Sequence, residues 1–342
     1  MGRKTVRLRL KNEEYELVQS HRALKEECER LGIPVESINH YWHKGKHFSM
    51  HSTTNNPSVS WDDIKDGIIK EMKTYSPKYE PIKRTKSKDP HCLVIDPADV
   101  HIGKLATSFE TGEEYNSQIA VSRVKEGVQG ILDKSSGFNI DKIVLIGGND
   151  ILHIDTPRRT TTSGTPQDTD GMWYDNFLTA KQLYVDIIEQ LVQIADVHFV
   201  YNPSNHDYTN GFFLADVIMT WFRSHKNITF DCSISHRKYF QYSNNLIGTT
   251  HGDGAKAQDL PLLMAQESPD MWASTKHRYV YTHHIHHKTS KDFIGVTVES
   301  LRSPSGTDSW HHRNGYQHNP KAIEGYIHHP EHGQVARLTH IF

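Results

Sequence analysis

The chain has 342 residues, 36% hydrophobic and 23% charged, with a formal net charge of −2. That is a globular composition without an apolar run long enough to cross a membrane, and the N-terminal MGRKTVRLRL lacks the apolar core of a signal peptide. Three widely spaced cysteines (Cys28, Cys92, Cys232) give neither a disulfide framework nor a CxxC zinc knuckle, so a reducing, cytoplasmic setting is expected.

Charge divides the chain. Residues 1–90 carry 18 Lys+Arg against 13 Asp+Glu, a net of +5; the remainder carries 21 against 28, a net of −7. A basic front and an acidic back predict separate tasks. In the front, residues 12–31 predict a helix, capped by Asn12 and stopped by Gly32 and Pro34. Tyr41, Trp42, His43, Lys44, Lys46, His47 and Phe48 then interleave aromatic and basic side chains. Such a stretch suits base stacking, and equally the core of a small helical domain edged by solvated lysines. A second helix is expected over Trp61–Tyr75, so the front permits a winged-helix-like or helix-turn-helix module. PKYEPIKRTKSKDP, with three prolines and five Lys/Arg, reads as a linker. The expected layout is a small, mainly helical domain over 1–76, a basic linker over 77–90 and a larger domain over 91–342.

Beyond the linker, short apolar runs alternate with helical spacing: CLVI (92–95), KIVLI (142–146), VHFVY (197–201), NLIGT (245–249) and YVY (279–281). A helix is predicted over Asn176–Ala195, and the turn-rich TPRRTTTSGTPQDTDG (156–171) is expected to be a long loop. Strands alternating with helices predict an α/β fold. Each run is followed by a polar cluster: Asp99 and His101; Asp150; Asn205, His206 and Asp207; His251; and the four histidines of YTHHIHHK. Ligands of open α/β sheets bind outside the carboxyl ends of the strands, so one rim is expected to collect all five clusters. Carboxylate with imidazole and no thiolate suits Mn, Fe, Zn or Ni. Asp-x-His occurs three times (Asp89–His91, Asp99–His101, Asp196–His198), and only the second both follows an apolar run and leads into a glycine. Singly, these clusters are what surface turns and Asx-turns also produce. The ordered set of five is the signal.

The series DVHIG, GGND, SNHD, THG and HHIH resembles the calcineurin-like metallophosphoesterase superfamily over roughly residues 92–290. The resemblance implies a β-sandwich flanked by helices and a centre of two divalent metal ions, Mn first, with Fe, Zn, Ni or Mg compatible. It implies Asp99 and His101 at the first metal, Asp150 bridging, Asn205 and His251 at the second, and His206 as the catalytic histidine with Asp207 setting its tautomer. His284 and His286 resemble the family's His-x-His pair, leaning to the second and first metal respectively. On an extended segment they would point the same way. Three positions depart from the pattern: Asn149 stands before Asp150, and Ser204 and His283 stand where the pattern has glycine.

The superfamily's protein-phosphatase signature, Asp-Arg-Gly after the second motif, is absent from ILHIDTPRRT. With the basic front, the resemblance points to the DNA-repair exonuclease branch, which has many phage-encoded members, and to nucleic acid as partner and substrate. The alternatives are a phosphatase or a small-molecule or cyclic-nucleotide phosphodiesterase whose front domain mediates assembly, and a binding module on a degenerate phosphoesterase fold. Arg158, Arg159, Trp310, His311, His312, Arg313 and Tyr316 are the candidates for substrate contact, with a plain surface loop the equal alternative for the last five, and a homo-oligomer or a partner ATPase stays open.

Overall fold

The computed structural model describes residues 12–31, 34, 40–44, 49–53, 61–74, 79–316 and 318–342. The chain divides into two compact units, Met1–Tyr75 and Ser76–Phe342. The first contains α1 (Asn12–Leu31), an antiparallel hairpin of β1 (His40–Lys44) and β2 (Ser49–Thr53), and α2 (Trp61–Thr74). Both helices follow the sequence expectation. The hairpin does not: the Tyr and Trp of HYWHK are strand formers that outweighed the helical reading of this domain. The aromatic–basic stretch therefore falls partly on β1, while Lys46, His47 and Phe48 lie outside the described residues, as does the basic arm 1–11.

In chain order the second unit runs β3 (Pro90–Asp96), α3 (Ser108–Thr111), α4 (Ser117–Lys134), β4 (Asn139–Gly148), α5 (Trp173–Ile194), β5 (Asp196–Asn202), α6 (Tyr208–Trp221) and β6 (Ile228–Asp231). It continues through β7 (Arg237–Tyr242), β8 (Asn245–Thr250), α7 (Leu260–Glu267), α8 (Pro269–Ser274), β9 (His277–Thr282), β10 (Thr289–Phe293) and β11 (Val296–Ser300). It closes with α9 (Ser309–Arg313), β12 (Ala322–His329) and β13 (Gly333–Ile341). One sheet has the order β13, β12, β3, β4, β5, β6; the other has β10, β11, β9, β8, β7. Strands β3 to β6 are mutually parallel, as are β8, β9 and β11, so their carboxyl ends share an edge.

The sheets pack face to face. Cys92, Val94, Val144, Ile146 and Val200 of one meet Phe240, Ile247 and Tyr281 of the other, with Tyr326 of β12 stacked on Tyr281 at 4.0 Å between ring centroids. The alternate residues Leu93, Ile95, Ile143 and Leu145 are also fully buried. The opposite face of this sheet carries α4, α5 and α6, so the central strands are apolar on both sides and read as unbroken runs. Leu260 and Met264 of α7 cover Leu246, Val280 and Val298 on the far side of the second sheet. The fold is thus a two-sheet α/β sandwich flanked by helices.

The stretch read as a linker is part of this unit from residue 79 onward. Tyr79 Oη donates to Glu189, both main-chain groups of Ile82 bond the Asn227 amide, and Arg84 pairs with Asp196 and caps the carbonyls that end α5. No helix among the described residues is long and apolar enough to cross a membrane.

Candidate metal centre

All five polar clusters sit just past strand ends. Asp99 and His101 follow β3, Asp150 follows β4, Asn205 and His206 follow β5, His251 follows β8, and His284 and His286 follow β9. Main-chain bonds join these loops: Asp99 N–H to Asn149 O (2.9 Å), His101 N–H to Asp150 O (2.9 Å), Asn149 N–H to Asn202 O (3.1 Å) and His283 N–H to His251 O (2.8 Å). Below them the Asn202 amide ties the sheets together, donating to Thr249 O and accepting from its hydroxyl.

The backbone here is unusual. Asp99, His101, Asp150, His284 and His286 all have positive φ, between 50° and 71°. Each non-glycine residue in this left-handed region costs on the order of 1–3 kcal/mol and persists only where its surroundings enforce it. Gly148 prepares the β4 turn: it lies at φ 86°, and a Cβ would come within 2.4 Å of Asn202 O. Past Thr282 the chain leaves the strand, so the expected extended His-x-His does not form. The two rings diverge instead: His286 joins Asp99 and His101, and His284 joins Asp150 and His251.

These two donor sets share Asp150 as neighbour. Its Oδ2 is 3.9 Å from His101 Nε2 and 3.3 Å from His251 Nε2. Asn205 Oδ1 lies 2.8 Å from His251 Nε2, and Asp99 Oδ1 lies 3.8 Å from His286 Nε2. Within the first set His101 Nε2 and His286 Nε2 face each other at 3.2 Å. Burial holds both imidazoles well below the usual histidine range, with the His206 ring for His101 and Lys104 for both adding positive neighbours. Burial also drives Asp99 up to about 7. Burial alone would raise Asp150, but His251 and His206 together bring it well below the usual carboxylate range. His251 responds in kind: against its burial, Asp150 and Asp99 push it up to about 9. Imidazole nitrogens converging on buried carboxylates, neutral at His101 and His286 and with the buried His251 Nδ1 making no hydrogen bond, fit divalent cations bound by N and O donors.

His206 is placed differently from the expectation. Its Nδ1–H donates to His153 O (2.9 Å), which fixes the tautomer with Nε2 as the free nitrogen. Asp207 does not touch the ring. It accepts from Ser204 Oγ (2.5 Å) and Leu152 N–H (2.8 Å), is fully buried, and is pushed up to about 8 by burial and by Asp150. The adjacent position in sequence put the two side chains on opposite sides of the turn into α6, so Asp207 holds the loop and not the imidazole.

Both glycine departures carry polar struts. Ser204 Oγ accepts the Asp150 N–H (2.8 Å) while donating to Asp207. His283 Nδ1–H donates to Thr250 O (3.1 Å) and its Nε2 meets Asp96 Oδ2 at 2.9 Å, joining the ends of β8 and β3.

Three residues at the site, His153, Lys104 and Asp308, were not singled out from sequence. His153, buried, faces His101 (Nδ1 to Nδ1 3.3 Å) and stacks on His206; its only signal was a histidine three residues after Asp150. Lys104, 1% exposed, pairs with Asp308 (2.8 Å), and Asp308 accepts both N–H groups of His311. The His311 ring stacks on His286 at 5.1 Å. Sequence spacing cannot announce a lysine and an aspartate two hundred residues apart. Of the substrate-contact candidates, His312 and Arg313 are exposed on α9 and the neighbouring His311 is the one at the centre. Arg158 and Arg159 are exposed on the 156–171 loop, which is held to α6 by Asp155 accepting from Thr209 and Asn210 N–H. A further group, Asp89, His91 and His329, does not suit a metal: His329 Nδ1 accepts the Glu331 and His332 N–H groups, leaving its proton on the Nε2 that faces Asp89.

No family model and no curated protein matches the sequence. Among solved structures, the chain is similar to an archaeal phosphodiesterase (9% identity, 74% of this chain and 99% of that one, TM-score 0.34). It is also similar to a single mutant of Vps29 from Entamoeba histolytica (15%, 73% and 99%, TM-score 0.33). A third is a putative 5'-nucleotidase from Staphylococcus aureus (10%, 73% and 54%, TM-score 0.34). At such scores the weight falls on the site's own geometry.

Proposed function

We propose that the protein is a metal-dependent phosphodiesterase of the calcineurin-like metallophosphoesterase superfamily, with nucleic acid, most directly DNA, as its substrate. The observation that carries this reading is the position of Asp150, whose carboxylate stands between His101 of one donor set and His251 of the other, 3.9 Å from the first and 3.3 Å from the second. A carboxylate so placed could serve two cations, and such a pair would supply charge stabilisation to an in-line displacement at phosphorus. Asp99, His101 and His286 would hold one ion, and Asn205, His251 and His284 the other. When bound, the pair supplies Lewis acidity at phosphorus and lowers the pKa of water toward neutrality. The N and O donors favour Mn, with Fe, Zn, Ni and Mg compatible.

The protein's own contribution is orientation and proton delivery. His206 is tied through Nδ1 to the His153 carbonyl and offers Nε2 to the substrate. In its protonated form that nitrogen gives a proton to the departing alkoxide. Ser204 and His283 hold the loops at fixed separation, so the donors need no rearrangement when charge develops. The +5 front half supports nucleic acid and the DNA-repair exonuclease branch, with the N-terminal unit contributing phosphate contacts. Three cysteines without disulfide partners support a cytoplasmic setting.

The test is cleavage of linear duplex, single-stranded and circular DNA with added Mn²⁺, beside methyl p-nitrophenyl phosphate and p-nitrophenyl phosphate. DNA cleavage that Asp150→Asn abolishes is the expected result. Cleavage of the small esters alone would transfer the site to small-molecule substrates and leave the N-terminal unit an assembly role. Two bound ions by calorimetry with no hydrolysis would make the protein a binding module.

A further inference from the structure

The short helix α9 is fixed to the metal centre by a buried anchor and carries large aromatic side chains in solvent. Lys104, three residues after His101 and next to Gly103, is 1% exposed, yet its ammonium has no role in either donor set. It pairs with Asp308, the N-cap of α9, which accepts the His311 main-chain N–H (2.8 Å) and Nδ1–H (2.7 Å). His311 lies flat against His286, at 15° between ring planes. A buried ion pair with this many hydrogen bonds sets geometry more than it adds stability. Here it sets where α9 stands.

Next to His311 the exposed face begins. Trp310 contacts the edge of His311 and stacks on Tyr316 at 5.7 Å between centroids and 30° between planes. Trp310 is 60% exposed and Tyr316 58%. α3 lies beside α9, and its Phe109 is completely exposed. Exposed aromatics scattered singly need no explanation, but a stacked pair whose Trp310 adjoins a histidine packed on His286 does. A planar, π-rich group one sugar-phosphate unit from a scissile phosphate is a nucleobase. Base-on-aromatic stacking is indifferent to sequence and worth about 1–3 kcal/mol per base.

We propose that α9 forms a nucleobase-stacking subsite on the His286 side of the metal centre, with Trp310 and Tyr316 as the stacking surface and Lys104–Asp308–His311 as the anchor that fixes it there. This rests on the phosphodiesterase reading and sharpens it to unstacked, single-stranded or frayed nucleic acid, since a base inside a duplex cannot reach a protein ring.

The test compares kcat/KM for a single-stranded dT12 oligonucleotide with that for methyl p-nitrophenyl phosphate, in the Mn²⁺-loaded full chain, and measures binding of fluorescein-labelled dT12 by anisotropy in Ca²⁺. Trp310→Ala and Tyr316→Ala are each expected to weaken dT12 binding and raise its KM roughly 5- to 100-fold. Both should leave the methyl ester within twofold, and Trp310→Phe should recover most of the loss. Equal losses on both substrates would make the pair a structural support of the site and overturn the subsite. Unchanged dT12 kinetics in a wild type that cleaves dT12 would overturn it too, and would point to a protein partner on this surface. A wild type that cleaves the methyl ester but neither binds nor cleaves dT12 would remove the nucleic-acid reading itself, and the subsite with it.

Discussion

The rim of the larger unit and the layer between its sheets are both rich in buried polar groups, and they are satisfied in opposite ways. Between the sheets, unlike charges meet. Glu299 accepts from Tyr326 Oη (2.8 Å) and Arg337 Nε (2.6 Å), and Glu324, fully buried, accepts from Arg302 (2.7 Å) and from Arg337. The backbone there is regular strand. At the rim, like donors face each other, carboxylate beside carboxylate and imidazole beside imidazole, on five residues of left-handed backbone. The interior network sets each buried carboxylate against an arginine. The rim holds, at a cost, groups of like character turned toward one another.

If that contrast is right, substitutions separate cleanly by readout. The largest effect is on turnover at the rim. Asp150→Asn keeps the side chain's shape and a residue type that tolerates positive φ; it relieves the repulsion that adds to burial in raising Asp99 and Asp207, and it removes the pairing with His251 and His206 that holds Asp150 low. Hydrolysis should fall on the order of a thousandfold, from several kcal/mol of lost charge stabilisation. The two effects oppose, so the Tm of the metal-free protein, by calorimetry, should move little; a fall of many degrees would erase the contrast.

The interior should respond in the reverse sense. Glu324→Gln leaves Arg302 and Arg337 short of a buried counter-charge, with a cost of about 3–5 kcal/mol. Urea unfolding should show that loss, while kcat of the folded enzyme at 25 °C stays within a few-fold.

Ser204 belongs to both regions and sharpens the boundary. Ser204→Ala strips a hydroxyl from the buried Asp207 carboxyl and the Asp150 N–H, costing about 1–3 kcal/mol of stability. Because Asp150 loses its support, metal affinity should also drop, by about 10-fold. A stability loss without a change in metal affinity would place Ser204 wholly with the interior.

The most gradual effect is on acid stability. His328 is fully buried against Tyr281, Tyr279 and His277, and burial pushes it down to about 3. The unfolded chain binds its proton near pH 6.5, so the folded state carries fewer protons between the two values. Stability is therefore complete above about pH 6.5 and declines as pH falls toward 3, by at most about 1.4 kcal/mol per pH unit from this group. His328→Gln should flatten that slope in unfolding curves at pH 7 and 5. An unchanged slope would mean other groups set it.

Much of this was legible beforehand, for a specific reason. The five apolar runs lie on β3, β4, β5, β8 and β9, buried on both faces, and such strands print continuous apolar sequence. The helix read over Asn176–Ala195 is observed over Trp173–Ile194. Strands β7, β10 and β13 were not read, because half-exposed strands such as RKYFQY and TSKDF lack that print, and α4 was hidden by its weak apolar stripe. At the site, the residue types past each strand end were visible. The partner of the His206 ring was not, since the nearest carboxylate in sequence turned away and a main-chain oxygen took its place.

By itself the sequence determined which residues could meet. Parallel strands must present their carboxyl ends at one edge, so polar clusters after apolar runs converge whatever the details. Only the tertiary structure decided how they meet. Left-handed backbone at His284 and His286 sends two histidines, alike in spacing, to different donor sets. A serine and a histidine standing where glycines were expected became struts, and a buried lysine became the anchor of a distant helix. Spacing along a chain fixes the order in which side chains arrive, whereas distances of 3 Å depend on φ angles and on atoms that are far apart in sequence.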